Sequence, residues 1–195
     1  MYWTILMIVY QTLEDRENPD DIEENGPFAC THGMGWLGNG YYFLDTHIEL
    51  AHWWGEAVHN KNYVICKANM TMSEDCWDLH GTGDHRLEFD YICDELVTAK
   101  LVERENLIVS DVINYLIKQK IFKYNAIRAM GNNSISDRKF NHFLKRLPFK
   151  RAKRGQNNYQ YFDVYPPVQI CLLNKKALSL RDFYIVYPPE YMQYA

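Results

Sequence analysis

No stretch of this chain approaches the roughly 20 apolar residues that a membrane-spanning helix needs. The longest apolar run, Ile5 to Val9, sits inside Trp3–Tyr10 with no basic leader before it, so it reads as a buried strand, and no membrane partner is expected. Cysteines at metal or redox spacing are also missing. The five present (Cys30, Cys66, Cys76, Cys93 and Cys171) are odd in number, widely spaced and without a CxxC. That pattern speaks against a disulfide framework or a zinc site and fits a reducing cytoplasm. No histidine pair has metal-ligand spacing, so no metal is expected. Internal repeats, low-complexity tracts and linkers are lacking too, and 195 residues lie at the upper end of one domain, so a single domain over 1–195 is expected.

Hydrophobic residues make up 47% and charged residues 24%, which excludes wholesale disorder. Aromatics are plentiful at 15%, enough to fill a core, form an interface or stack on a planar ligand. The net charge of -4 hides an asymmetry. Residues 1–100 carry 18 acidic against 5 basic side chains, and residues 101–195 carry 7 against 16. The densest basic stretch runs from Arg138-Lys139 through Lys145-Arg146 to Lys150-Arg151 and Lys153-Arg154, with Phe140, Phe143 and Phe149 between. Cations interleaved with rings suit a phosphate backbone and its bases, although a solvated face is the commoner use of such runs. The acidic first half would be where a basic partner docks.

Strands are expected at Trp3–Thr12, Tyr41–Phe43, Tyr63–Met70, Asn125–Met130, Tyr159–Val164, Val168–Leu173 and Phe183–Tyr187. Asn18-Pro19-Asp20 signals a short helix that Asn25-Gly26 ends. Asp45 or Thr46 can cap a helix running to about His59, and apolar spacing predicts helices within Asp84–Arg104 and Ser110–Ile121. Ser73–Leu79 reads as a connecting turn. The fold class is therefore α+β, with the helices grouped in the middle of the chain.

The strongest local signal is Gly38-Asn39-Gly40-Tyr41-Tyr42-Phe43-Leu44-Asp45, followed by a helix bearing Ala51-His52-Trp53-Trp54. Glycines admit close backbone approach, and a strand tyrosine facing a ring on the next helix makes a slot for a flat heterocycle; a glycine turn before a core strand is the structural alternative. This segment resembles the second motif of the ADP-ribosyltransferase superfamily, where such a stretch holds the nicotinamide of NAD between rings. The resemblance makes Tyr42 the motif tyrosine, Trp53 the second ring, and Gly38 and Gly40 part of the cofactor site. It implies a split β-sheet core and NAD as co-substrate.

The first family motif lies on an early strand. Ile8-Val9-Tyr10-Gln11-Thr12, followed by Asn18–Gly26, is similar in spacing, so Tyr10 and Thr12 would hold the nicotinamide amide, and Gln11 stands where the family has His or Arg. Thr31-His32-Gly33 is the rival placement; Gln11 is preferred, with His32 a loop residue near the site. The third motif is a late strand bearing a catalytic Glu. Pro166–Leu173 resembles it, with Gln169 at the catalytic position. A glutamine can bond a ribose hydroxyl but offers a developing cation only a dipole. Glu88, Asp90 or Asp163 could supply the missing carboxylate, Asp163 first among them.

On this resemblance the chain is a mono-ADP-ribosyltransferase with Gln169, Tyr42 and Gln11 as catalytic residues. Lys150, Arg151, Lys153 and Arg154 would grip a nucleic-acid acceptor, RNA or single-stranded DNA. Family members of this size resemble toxins of bacterial toxin–antitoxin or anti-phage systems, which implies a neutralising antitoxin protein. The alternative is a catalytically degenerate module that binds NAD, ADP-ribose or nucleic acid. A third reading is a nuclease or other nucleic-acid enzyme in which His32, His52, His59 or His80 acts as acid–base.

Overall fold

Strand β1 (Ile5–Glu14) pairs along all ten residues with β3 (Tyr63–Met72), from Ile5↔Met72 to Glu14↔Tyr63. This ladder is the spine of a seven-stranded sheet. The computed structural model describes residues 5–30, 35–131, 146–149 and 161–192. Among these, β2 (Tyr41–Asp45), β4 (Cys76–Asp78), β5 (Ala126–Met130), β8 (Val168–Leu172) and β9 (Arg181–Tyr187) complete the sheet in the order β4-β5-β8-β2-β1-β3-β9. Only β4 and β5 run parallel; every other neighbour is antiparallel. A separate ribbon joins β6 (Arg146–Pro148) to β7 (Tyr161–Asp163). With four helices among the described residues, the α+β expectation holds in the form of an open, mostly antiparallel sheet.

Three helices cover one face of the sheet. α2 (Ile48–Val58) buries Leu50, Ala51 and Trp53 against Leu44, Tyr63 and Ile65. A side chain at Gly55 would run into the Tyr63 ring, so the absence of a Cβ sets how closely α2 lies on β3. α4 (Val109–Lys118) buries Val112, Ile113 and Leu116, spaced one and then three residues apart on a single helical face. With Cys93 and Leu96 of α3 (Gly83–Thr98) these pack over Trp77, Ile127 and Cys171 at the other end of the sheet. The opposite face is covered by Ile22 of α1 (Pro19–Asn25) over Val64, Cys66 and Ile185, and by Ala177 and Leu178 over Val9, Phe43 and Ile170.

Two local expectations are corrected. Ser73–Leu79 is not only a turn: Cys76 and Trp77 are buried, and the short β4 they form pairs with β5, fifty residues later. Neither Asp45 nor Thr46 caps α2. The helix starts from His47 without a side-chain cap, Thr46 has a left-handed φ of 61°, and the Asp45 carboxylate is turned away to another partner.

Candidate functional site

The strands assigned to the three motifs are neighbours. β8, β2 and β1 lie side by side, and Gln169 pairs with Leu44, which pairs with Tyr10. The row continues through Lys67 to Tyr184 on one flank and to Ala129 on the other. Side chains alternate across a strand, so Tyr42, Leu44, Tyr10, Thr12, Gln169 and Cys171 share the helix-covered face. Residues as far apart in sequence as Tyr10 and Gln169 thereby face the same layer.

On this face Trp36 donates its indole N–H to Gln169 Oε1 at 2.7 Å. Trp36 also packs with Tyr42 against the cluster around Leu37 and Cys171. The Tyr42 hydroxyl is tied down: it donates to Gly38 O at 2.7 Å and accepts from Leu37 N–H at 2.8 Å. Burial first, then the neighbouring Cys171, hold its phenol far above the ordinary range, and burial pushes the Cys171 thiol up to about 12. Neither group ionises near neutral pH.

The glycines serve this packing. Gly38 has φ +92°, a left-handed conformation that costs glycine no strain. A Cβ on Gly40 would lie 2.5 Å from Leu172 O and 2.6 Å from Cys171 Sγ, so Gly40 lets its strand close against β8. The close approach expected of these residues is therefore made by the chain itself.

Gln11 lies on the opposite face and is only 4% exposed. Its amide accepts from Phe28 N–H at 3.0 Å and donates to Phe28 O at 2.9 Å and Tyr42 O at 3.3 Å. Both ends of the side chain hold backbone. Thr12 donates its hydroxyl to Ala51 O at 3.0 Å, fixing α2 on β1. Trp53, expected as the second stacking ring, is buried in the α2 cluster, where its edge meets Trp54, whereas Tyr42 belongs to the cluster under α4. The partly exposed ring beside Gln169 is Trp36, which the motif comparison passed over. His32, Lys150, Arg151, Lys153 and Arg154 lie outside the described residues.

A second feature joins Arg128 and Asp78, to which the sequence reading gave no role, to Asp45, which it offered as a helix cap. Arg128, on β5, reaches past β8 with its Nε and Nη2 to Asp45 Oδ2 at 2.9 and 2.7 Å, while Nη1 donates to Asp78 at 3.0 and 3.1 Å. Asp78 Oδ1 also accepts the backbone N–H groups of His80 and Gly81, and Asp45 Oδ1 accepts the Thr46 hydroxyl. Two carboxylates against one guanidinium leave an excess negative charge. The trio borders a cleft of about 610 Å3 that includes Thr46, His47, His80, Met72 and Val168. A lone arginine within the apolar run Ala126–Met130 was the available signal, because a cation in a buried strand needs a paired acid.

The other histidines are dispersed. His52 Nδ1 lies 3.0 Å from the Tyr63 hydroxyl, and burial lowers the pKa of His52, His59 and His80 alike. No cluster of His, Cys, Asp and Glu able to hold a metal occurs among the described residues, all five cysteines are free thiols, and no described helix is long and apolar enough to cross a membrane. No protein-family model matches the chain, and no curated protein or solved structure matches it at a significant level.

Proposed function

We propose that the chain is an NAD-dependent mono-ADP-ribosyltransferase acting on a nucleic-acid acceptor. The observation that carries this reading is the row Gln169, Leu44, Tyr10, which sets the three motif strands side by side with Tyr42 and Trp36 next to Gln169. NAD would lie against Trp36 and Tyr42 with its ribose toward Gln169. The bond from C1′ to the nicotinamide nitrogen breaks, nicotinamide leaves with the electron pair, and an acceptor heteroatom bonds C1′ and loses its proton. With its oxygen occupied by Trp36, Gln169 offers an NH2 to a ribose hydroxyl, so charge stabilisation at C1′ falls to a carboxylate, with Asp163 of β7 the first candidate.

The connection from β5 to β8 contains the basic run Lys145–Arg154. Its anchor points, Met130 and Val168, are register partners one residue from Gln169, which supports an acceptor held at that end. The exposed rings of Phe149 and Phe162, 6.3 Å apart between centroids, supply surfaces on which a base can stack. In this proposal the chain acts as a toxin in a bacterial toxin–antitoxin or anti-phage system, restrained by an antitoxin protein. A second reading, NAD or ADP-ribose binding without turnover, is favoured by two observations: the Gln11 amide is bound at both ends to backbone, and the Gln169 oxygen is taken by Trp36. Incubation with NAD labelled on the adenylate, alongside separate pools of RNA, single-stranded DNA, duplex DNA and protein, separates the two. Nuclease-sensitive label supports transfer; NAD binding with no labelled pool supports the binding module; neither label nor binding defeats both.

A further inference from the structure

We propose that the gap in the sheet beside the first half of β1 takes an extended, basic peptide segment of a partner protein as an added strand. β1 is paired along its full length on the β3 side, but on the β2 side it is paired only at Val9↔Asp45 and Tyr10↔Leu44. β2 ends there. The chain turns off at Thr46, whose N–H donates to Ile8 O at 3.0 Å as the last bond of that edge. In an antiparallel ladder the N–H and C=O of every second residue point the same way. Those of Leu6 therefore point, like Ile8 O, into the gap, and no described strand meets them there. At about 3.4 Å per residue, Ile5–Ile8 offer an edge of about 13 Å, room for some four residues of a partner.

The walls of the gap fit a strand. It is the 610 Å3 cleft described above, with Ile5–Ile8 on one side and Pro166 and Val168 on the other, and Met72, the β3 register partner of Ile5, also lines it. Leu6 is 60% exposed and Ile8 39%, and no described residue of this half-strand is charged or proline, the usual devices that block pairing at a free edge. Side chains of an added strand would alternate between Leu6 and Ile8 on one face and the Met7 and Asp45–Arg128–Asp78 side on the other. The excess negative charge of that trio selects a lysine or arginine at the position facing it, in keeping with the acidic first half of the chain. Backbone bonds to Leu6 supply affinity, and the alternating pockets supply specificity. The inference requires no NAD: it uses the end of β2 away from Tyr42, where Val168 borders the gap as well as anchoring the β5–β8 connection.

The test uses the full chain and an acetylated, amidated ten-residue peptide of alternating valine and threonine with one central lysine. Titration is followed by hydrogen exchange at the Leu6 amide. Saturable binding is expected, with Leu6 exchange slowed about tenfold or more. A peptide N-methylated on the amides facing β1 should lose binding, and one with glutamate for lysine should bind about tenfold more weakly. Leu6→Pro, which removes the N–H, should abolish binding; the N-methylated peptide makes the same point without altering the protein. Absence of binding, equal binding of the N-methylated peptide, or an unprotected Leu6 overturns the added strand. Equal binding of the glutamate peptide overturns the basic partner. Concentration-dependent dimerisation that protects Leu6 without peptide assigns the gap to a second copy instead, and also overturns the proposal.

Discussion

Trp36 and Gln169 are 133 residues apart in sequence, and the indole N–H of one lies 2.7 Å from the amide oxygen of the other. The bond fixes which end of the Gln169 amide remains available. It orients the residue at the position where the proposed chemistry needs negative charge, and it orients it with the donor end forward. Gln169→Glu would keep an acceptor for Trp36 and add the missing charge. Nicotinamide release from NAD is expected to rise by about tenfold or more, the scale of one well-placed electrostatic contact. Unchanged release would remove residue 169 from the reacting centre.

Gln11 bridges two stretches of backbone from a buried position. Gln11→Leu, similar in size, leaves Phe28 N–H without its acceptor and Phe28 O and Tyr42 O without their donor. A loss of about 1–3 kcal/mol is expected, the range for buried groups left unsatisfied. Urea denaturation without ligand measures it. Full stability combined with lost NAD binding would instead make Gln11 a ligand-binding residue.

Arg128 is the cation between two largely buried carboxylates. Arg128→Met removes it and leaves Asp45 and Asp78 facing each other uncompensated, at an expected cost of about 3–5 kcal/mol. Adding Asp45→Asn and Asp78→Asn should recover much of that loss. Thermal melting of the single and triple variants tests this; equal melting of both would mean that the trio contributes nothing electrostatic.

Acid should weaken the fold before its carboxylates titrate. Burial lowers His52, His59 and His80 below their ordinary 6.5, so the unfolded chain takes up protons that the folded chain resists. Stability is then undiminished above that value and declines as pH falls from it through the lower folded-state values. Urea midpoints at about pH 7.5 and about pH 5.5 should differ in that direction, and His80→Gln should shrink the difference. Equal midpoints would show that these imidazoles titrate normally.

The sheet strands long enough to carry their own pattern could be read from sequence. Trp3–Thr12 and Tyr63–Met70 anticipate β1 and β3 to within about two residues, the usual error of such boundaries. The spacing of Val112, Ile113 and Leu116 likewise announces α4. β4 could not be read, because three residues have no periodicity and its existence depends on β5. The site was legible as strands but not as bonds. Asp45 looked like a helix cap because capping is a local rule, and its actual partner lies 83 residues away. Trp53 had the spacing of a stacking ring, but which cluster a helix face joins depends on packing that no motif contains. Trp36, in a glycine-rich loop, gave no signal of its own.

The ladder of β8 with β2 has a consequence for the order in which the molecule assembles. β1 and β3 are joined through a loop of about fifty residues, but Tyr42 and Cys171 are separated by 129. Closing the longer loop costs more chain entropy and delays contact formation. A nascent chain can therefore build the β1–β3 spine and α2 well before β8 exists to be inserted between β2 and β5. Until Val168–Leu172 emerges, two inner strands of the sheet each lack a neighbour, and the Trp36 indole has no Gln169 to meet. Whatever this face does, it begins to do only after Val168–Leu172 has been made.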